Sequence, residues 1–168
     1  MANQYPALFA GQRWTAALAS AGLPLIARKN ADEGLNSNGT VQADDELFVS
    51  VVAGASYIVE GWLIYSAASN TPDLRINYTY PSGASFTRTD WGAPPASTST
   101  NDVVEMSVAT TADVGRAAGT TQRSVWVRGD LVVGATAGTF RLVWAQVTSD
   151  VNTVSMKAGS HIKLTRYA

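Results

Sequence analysis

From Leu47 onward the chain alternates apolar and polar residues in short runs. A period of two is the signature of strands with one dry face, and it excludes an amphipathic helix over the same residues. The clearest run is Leu74 to Tyr80, where Leu74, Ile76, Tyr78 and Tyr80 point one way and Arg75, Asn77 and Thr79 the other. Leu47–Val52 reads as a short strand. Tyr57–Tyr65, apolar on both faces apart from Glu60, reads as a central one. Val103–Val108 is a weaker candidate, and the run through Val125, Val127, Leu131 and Val133 is expected to bend or bulge at Gly129-Asp130. Phe140, Leu142 and Trp144 alternate with Arg141, Val143 and Ala145; the last strand is His161–Arg166, with Ile162 and Leu164 inward. Ala-Gly recurs at 53–54, 118–119, 137–138 and 158–159, before a predicted strand each time, where a glycine with positive φ suits a tight turn. With 17 Thr, 17 Val and 15 Ser in 168 residues, and only Lys29, Lys157 and Lys163 for lysine, composition points the same way. The expected fold is all-β, an antiparallel β-sandwich of jelly-roll type spanning 41–168. A chain this long buries about 70% of its unfolded surface, so the core needs no staples.

Residues 1–40 are different in kind. After Tyr5-Pro6 comes an Ala-rich run in which Thr15 is a suitable N-cap, Gly22 suits a left-handed C-terminal position, and Pro24 stops the helix. A two-turn helix is not stable alone in water. Its neighbours Leu8, Phe9, Trp14, Leu18, Leu23, Leu25 and Ile26 therefore need a surface to pack on, either their own domain or another subunit. Residues 27–46 are polar and turn-rich, as expected of a connector and a sheet entry. Residues 81–101 and 109–122 read as long loops, which in compact domains are usually functional or ordered by a partner.

The residues that carry chemistry are sparse. Zero cysteine excludes disulfides, thiolate metal sites and a cysteine nucleophile, and the single histidine, His161, leaves almost no material for a zinc site or a Ser-His-Asp triad. A net charge of −1 gives no basic surplus for nucleic acid or an anionic membrane. No apolar run reaches membrane-spanning length, and the Met1–Tyr5 start lacks the basic and apolar regions of a secretory signal, which predicts synthesis in a cytoplasm. Neither phosphate-loop, zinc-helix nor nucleophile-elbow spacing occurs. The only acids on predicted strands for a glycosidase pair are Glu60, Glu105 and Asp130. Asp44-Asp45-Glu46 contains the oxygens of a calcium site, but consecutive acids on an extended strand diverge, so a solvated acidic turn is expected. Catalytic, cofactor and metal residues are accordingly assigned to none. Tyr78, Tyr80, Phe86 and Trp91 are weighed as a sugar platform against plain core packing, with Tyr80 and Trp91 kept as the possible glycan contacts. Trp62, Trp126 and Trp144 are expected in the core or at a subunit interface, and His161 on the surface.

Several stretches, in order, carry a resemblance. They are Phe9-Ala10-Gly11-Gln12-Arg13 with Thr15, Ala16, Leu18 and Leu23-Pro24; Ala43 to Leu47; Ala55 and Tyr57 through to Leu63-Ile64-Tyr65; Asp73-Leu74 with Ile76; Pro81 to Ala84; Thr136 to Asp150; and Ala158-Gly159-Ser160. Together they resemble small virion proteins of tailed phages, particularly those infecting actinobacteria, described as capsid decoration, head-fibre or minor tail proteins. The resemblance implies a β-domain displayed on the virion and anchored by its N-terminal segment to the major capsid protein or another virion protein. Analogy with decoration proteins implies a homotrimer. The expected shell contacts are Tyr5, Phe9, Arg13, Trp14 and Leu18, and the expected alternative is a tail-associated module that binds a receptor or a host-surface glycan.

Overall fold

A computed structural model of the chain describes residues 6, 9–95, 105–109 and 112–168. Among these, one helix, α1 (Ala16–Ala21), precedes twelve strands. They are β1 (Leu25–Arg28), β2 (Glu33–Leu35), β3 (Gln42–Val51), β4 (Ser56–Ala67), β5 (Leu74–Thr79) and β6 (Ser85–Gly92), then β7 (Glu105–Ala109), β8 (Val114–Arg116), β9 (Arg123–Val132), β10 (Gly138–Gln146), β11 (Val154–Met156) and β12 (His161–Arg166). The larger sheet runs β1-β12-β4-β9-β6-β7, with β11 linking β2 to the same edge of β4 that β12 occupies; the smaller runs β3-β10-β5-β8. Every pairing is antiparallel. The two sheets form a sandwich, and alternate residues of each fill the space between them.

The alternation explains the core. Tyr57, Val59, Leu63 and Tyr65 of β4 face inward, as do Ile76 and Tyr78 of β5 and Phe140, Leu142 and Trp144 of β10, all essentially inaccessible. Tyr78, Phe86 and Phe140 form an aromatic knot, with Tyr78 stacked on Phe140 at 5.2 Å and Phe86 edge-on to both. Gly129 does not bulge β9. The strand continues in unbroken register with β4 and β6, and a Cβ at Gly129 would meet the Thr87 carbonyl oxygen and the Phe86 ring, both at 2.6 Å. Of the four Ala-Gly pairs, only Gly54 and Gly159 take positive φ, at 69° and 94°.

Other expectations are corrected. Gly22 closes α1 at φ −82°, a right-handed conformation rather than a left-handed one. The stretch 27–46 is no plain connector: β1 pairs with β12, and β2 with β11. These strands are short and lie at sheet margins, so few of their side chains turn inward to produce a pattern. The expected loop 81–101 contains β6, and 109–122 contains β8. Strand β6 escapes a hydrophobic reading because two of its inward positions are charged. Arg88 and Asp90 are both buried, paired at 3.0 Å, with Arg88 lying over the Tyr78 ring.

Candidate binding face

The inward residues of β4, β9 and β6 leave their alternates on the outer face of the large sheet. Residues directly opposite one another then stand in rows across the strands. One row reads Arg28, His161, Trp62, Trp126 and Trp91, from β1 through β12, β4 and β9 to β6. The rings of Trp62 and Trp126 stack at 5.7 Å with planes 12° apart, and His161 meets Trp62 edge-on at 6.0 Å. Trp62 remains 37% exposed and Trp126 56%, despite their mutual contact. The next outward row is Ile26, Lys163, Glu60, Arg128 and Thr89. There Lys163 Nζ donates to Glu60 Oε2 at 2.8 Å, and this hydrogen bond is the main reason the Glu60 carboxyl lies below the usual carboxylate range. Between the rows opens a cavity of about 380 Å³ lined by Trp91, Trp126, Val127, Glu60 and Arg128.

No protein-family model and no curated protein matches the chain. Among solved structures it is similar to the infectious bursal disease virus Gx strain structure, at 11% identity and a TM-score of 0.23, over 98% of this chain and 46% of that one. The VP2 protein in derived T=1 particles of the same virus gives 10% identity and a TM-score of 0.21, over 99% and 44%. The chain thus spans a little under half the length of the proteins it matches, and superposition this loose decides neither topology nor role.

The expected contact residues lie in separate places. Tyr5 is outside the described residues. Phe9 and Trp14 are 73% and 65% exposed, Arg13 is exposed, and Leu18 is half-buried on α1, which contributes no fully buried residue. Tyr80 and Trp91 do not form a common platform. Tyr80 packs on the core, edge-on to Phe86 at 6.4 Å, whereas Trp91 belongs to β6 and lines the outer cavity. Trp144 is core, and its Nε1 donates to Asp44 at 3.1 Å. Trp62 and Trp126 face out. The signal for this was present in their own strands, because Glu60 shares the phase of Trp62, and Ser124, Arg128 and Asp130 share that of Trp126.

The acidic segment is not a solvated turn. Asp44 is fully buried, and both its oxygens accept from the Lys29 ammonium at 3.0 Å. Oδ1 also accepts from the backbone of Glu46 and Leu47, at 2.9 and 2.8 Å. Glu33 also pairs with Lys29, and Glu46 lies at 3.9 Å. A protein ammonium therefore stands among the three carboxylates, tying β3 to the residue that follows β1. Among the described residues no cluster of His, Cys, Asp or Glu is arranged for a metal, and no helix is long and apolar enough to cross a membrane. Of the acids weighed for glycoside hydrolysis, Glu60 accepts from Lys163, which draws its carboxyl below the usual range, the opposite of the raised value a general acid needs. Asp130 accepts from the Tyr167 hydroxyl at 2.7 Å. The Glu105 side chain is outside the described set.

Proposed function

We propose that this chain is a non-enzymatic structural protein of a phage virion, a β-sandwich displayed on the capsid surface and held there by its N-terminal segment. The observation that carries this is the segment's unsatisfied apolar surface. Phe9 and Trp14 are mostly exposed although the sandwich behind them has a complete core. Covering the two rings against a shell protein would remove some 250 Å² from water, worth about 6 kcal/mol before association costs. Many copies on one lattice would raise the effective concentration and compensate for a weak single contact. The partner is the major capsid protein or another virion protein. Tyr5, Phe9, Arg13, Trp14 and Leu18 form the contact, and the assembly is a trimer of side-by-side sandwiches. Sequence resemblance to small phage virion proteins supports the same reading. Electron microscopy of particles labelled through this protein tests it: density on head faces or vertices is expected, and its absence from the virion ends the proposal.

The outward tryptophan row favours a second reading, a tail-associated module that binds a receptor or a host-surface carbohydrate. The two differ in location, and the same micrographs separate head from tail.

A further inference from the structure

The large sheet has an outer face that the rest of the described chain does not cover, and its most structured feature is the cavity beside Trp126. We infer that this cavity is a saccharide site, with Trp91 and Trp126 as stacking walls and Arg128 selecting for an acidic sugar. This rests on the second, carbohydrate-binding reading and names its residues and ligand class. Three observations carry it. The volume of about 380 Å³ lies at the lower end for small-molecule sites. Two indoles line it, offering rigid apolar surface of the kind that suits the C–H face of a pyranose, and Trp62 holds Trp126 in place by stacking at 5.7 Å. The lining also offers hydrogen-bonding groups, the Glu60 carboxylate and the Arg128 guanidinium, and Lys163 and Thr89 belong to the same cross-strand row.

Charge chooses the ligand class. Glu60 is already engaged by Lys163, and Arg128 lies opposite Glu60 on β9. Arg28 adds a further cation at the end of the tryptophan row, while Asp130, two residues beyond Arg128, is engaged by Tyr167. The lining holds one cation, Arg128, and one carboxylate, Glu60, and because Lys163 already neutralises Glu60 from outside the cavity, the charge left to meet a ligand is that of Arg128, which favours a sugar carboxylate over an ammonium ligand. A nucleic acid would need a wider basic footprint than a chain of net charge −1 supplies.

The test is titration of tryptophan fluorescence in the full chain with oligogalacturonate and hyaluronan fragments, against neutral cello- and chito-oligosaccharides of equal length. Saturable binding of an acidic probe is expected, at least about fivefold tighter than its neutral counterpart. Trp126→Ala should weaken it by about tenfold, from the loss of one stacked ring. Arg128→Gln should abolish the acidic preference while neutral binding stays measurable. Both side chains point outward, so neither change touches the core, and unchanged urea unfolding checks this. Binding that ignores Trp126→Ala, or shows no acidic preference, overturns the site but leaves carbohydrate recognition elsewhere on the molecule intact. No binding of any probe, nor of whole host envelopes, removes both. A dimer that Trp126→Ala dissociates, with no saccharide bound, overturns the site in favour of a second copy on this face.

Discussion

Replacing Lys29 by Met isolates the buried charge cluster from the rest of the fold. The ammonium, 1% exposed, reaches both oxygens of Asp44 at 3.0 Å and also pairs with Glu33. Methionine retains most of the stem's volume and leaves the Asp44 carboxylate buried without its cation. Breaking such a pair from one side costs about 3–5 kcal/mol. Asp44 keeps three donors, the amides of Glu46 and Leu47 and the Trp144 indole, so the lower end applies, about 3 kcal/mol. For a domain of this size that is a fall in Tm of roughly 6–12 °C. Equilibrium urea unfolding should show a lower midpoint with an unchanged slope. Burial, the largest influence on Lys29, draws its pKa down, but the hydrogen bonds to Glu33 and Asp44 more than reverse this and leave it raised. A raised value in the folded state means the contribution is complete below the unfolded value of about 10.4 and fades only as pH rises through the folded one. The loss in Lys29→Met should therefore stay constant across neutral pH. A loss below about 1 kcal/mol would mean the cluster behaves as a solvated surface pair, and the reasoning would fail.

Gly129→Ala should destabilise severely, because its Cβ would overlap the Thr87 carbonyl oxygen on the neighbouring backbone, and thermal unfolding reads the effect directly. Tyr65→Phe removes a 2.9 Å hydrogen bond to the buried Ala117 carbonyl, so a loss of about 1–2 kcal/mol is expected in urea. Glu60→Gln should cost less than about 1 kcal/mol, since its pair with Lys163 is about 40% exposed and screened by solvent. Because the Glu60 carboxyl is lowered, that small difference is present above about pH 4.3 and vanishes as pH falls through the folded value, which midpoints across the acid range can follow.

The sheet strands with apolar alternation are legible in the sequence, as Leu74–Thr79 and Gly138–Gln146 illustrate. What escaped did so for physical reasons. Strand β6 places Arg88 and Asp90 inward, so its hydrophobic period is broken by a buried ion pair that only the fold reveals. Strands β1, β2 and β11 are three or four residues long, and their hydrogen-bond partners lie far away in sequence. The burial of Asp44 is not legible because its cation, Lys29, is fifteen residues distant and follows β1 of the larger sheet, whereas Asp44 lies on β3 of the smaller one. The tryptophan face was half legible. The parity of Glu60 and Arg128 marks the outward side of β4 and β9, but placing Trp91 beside Trp126 requires knowing that β6 is a strand.

The central claim is that the leading segment acts on another molecule and contributes little to its own domain. Deleting residues 1–22 tests it most directly, since that cut stops short of β1 and removes α1, which has no fully buried residue. The expected result is a domain within about 1 kcal/mol of the full chain in urea that no longer occupies particles. Normal occupancy by the truncated protein, or collapse of its fold, would contradict the account.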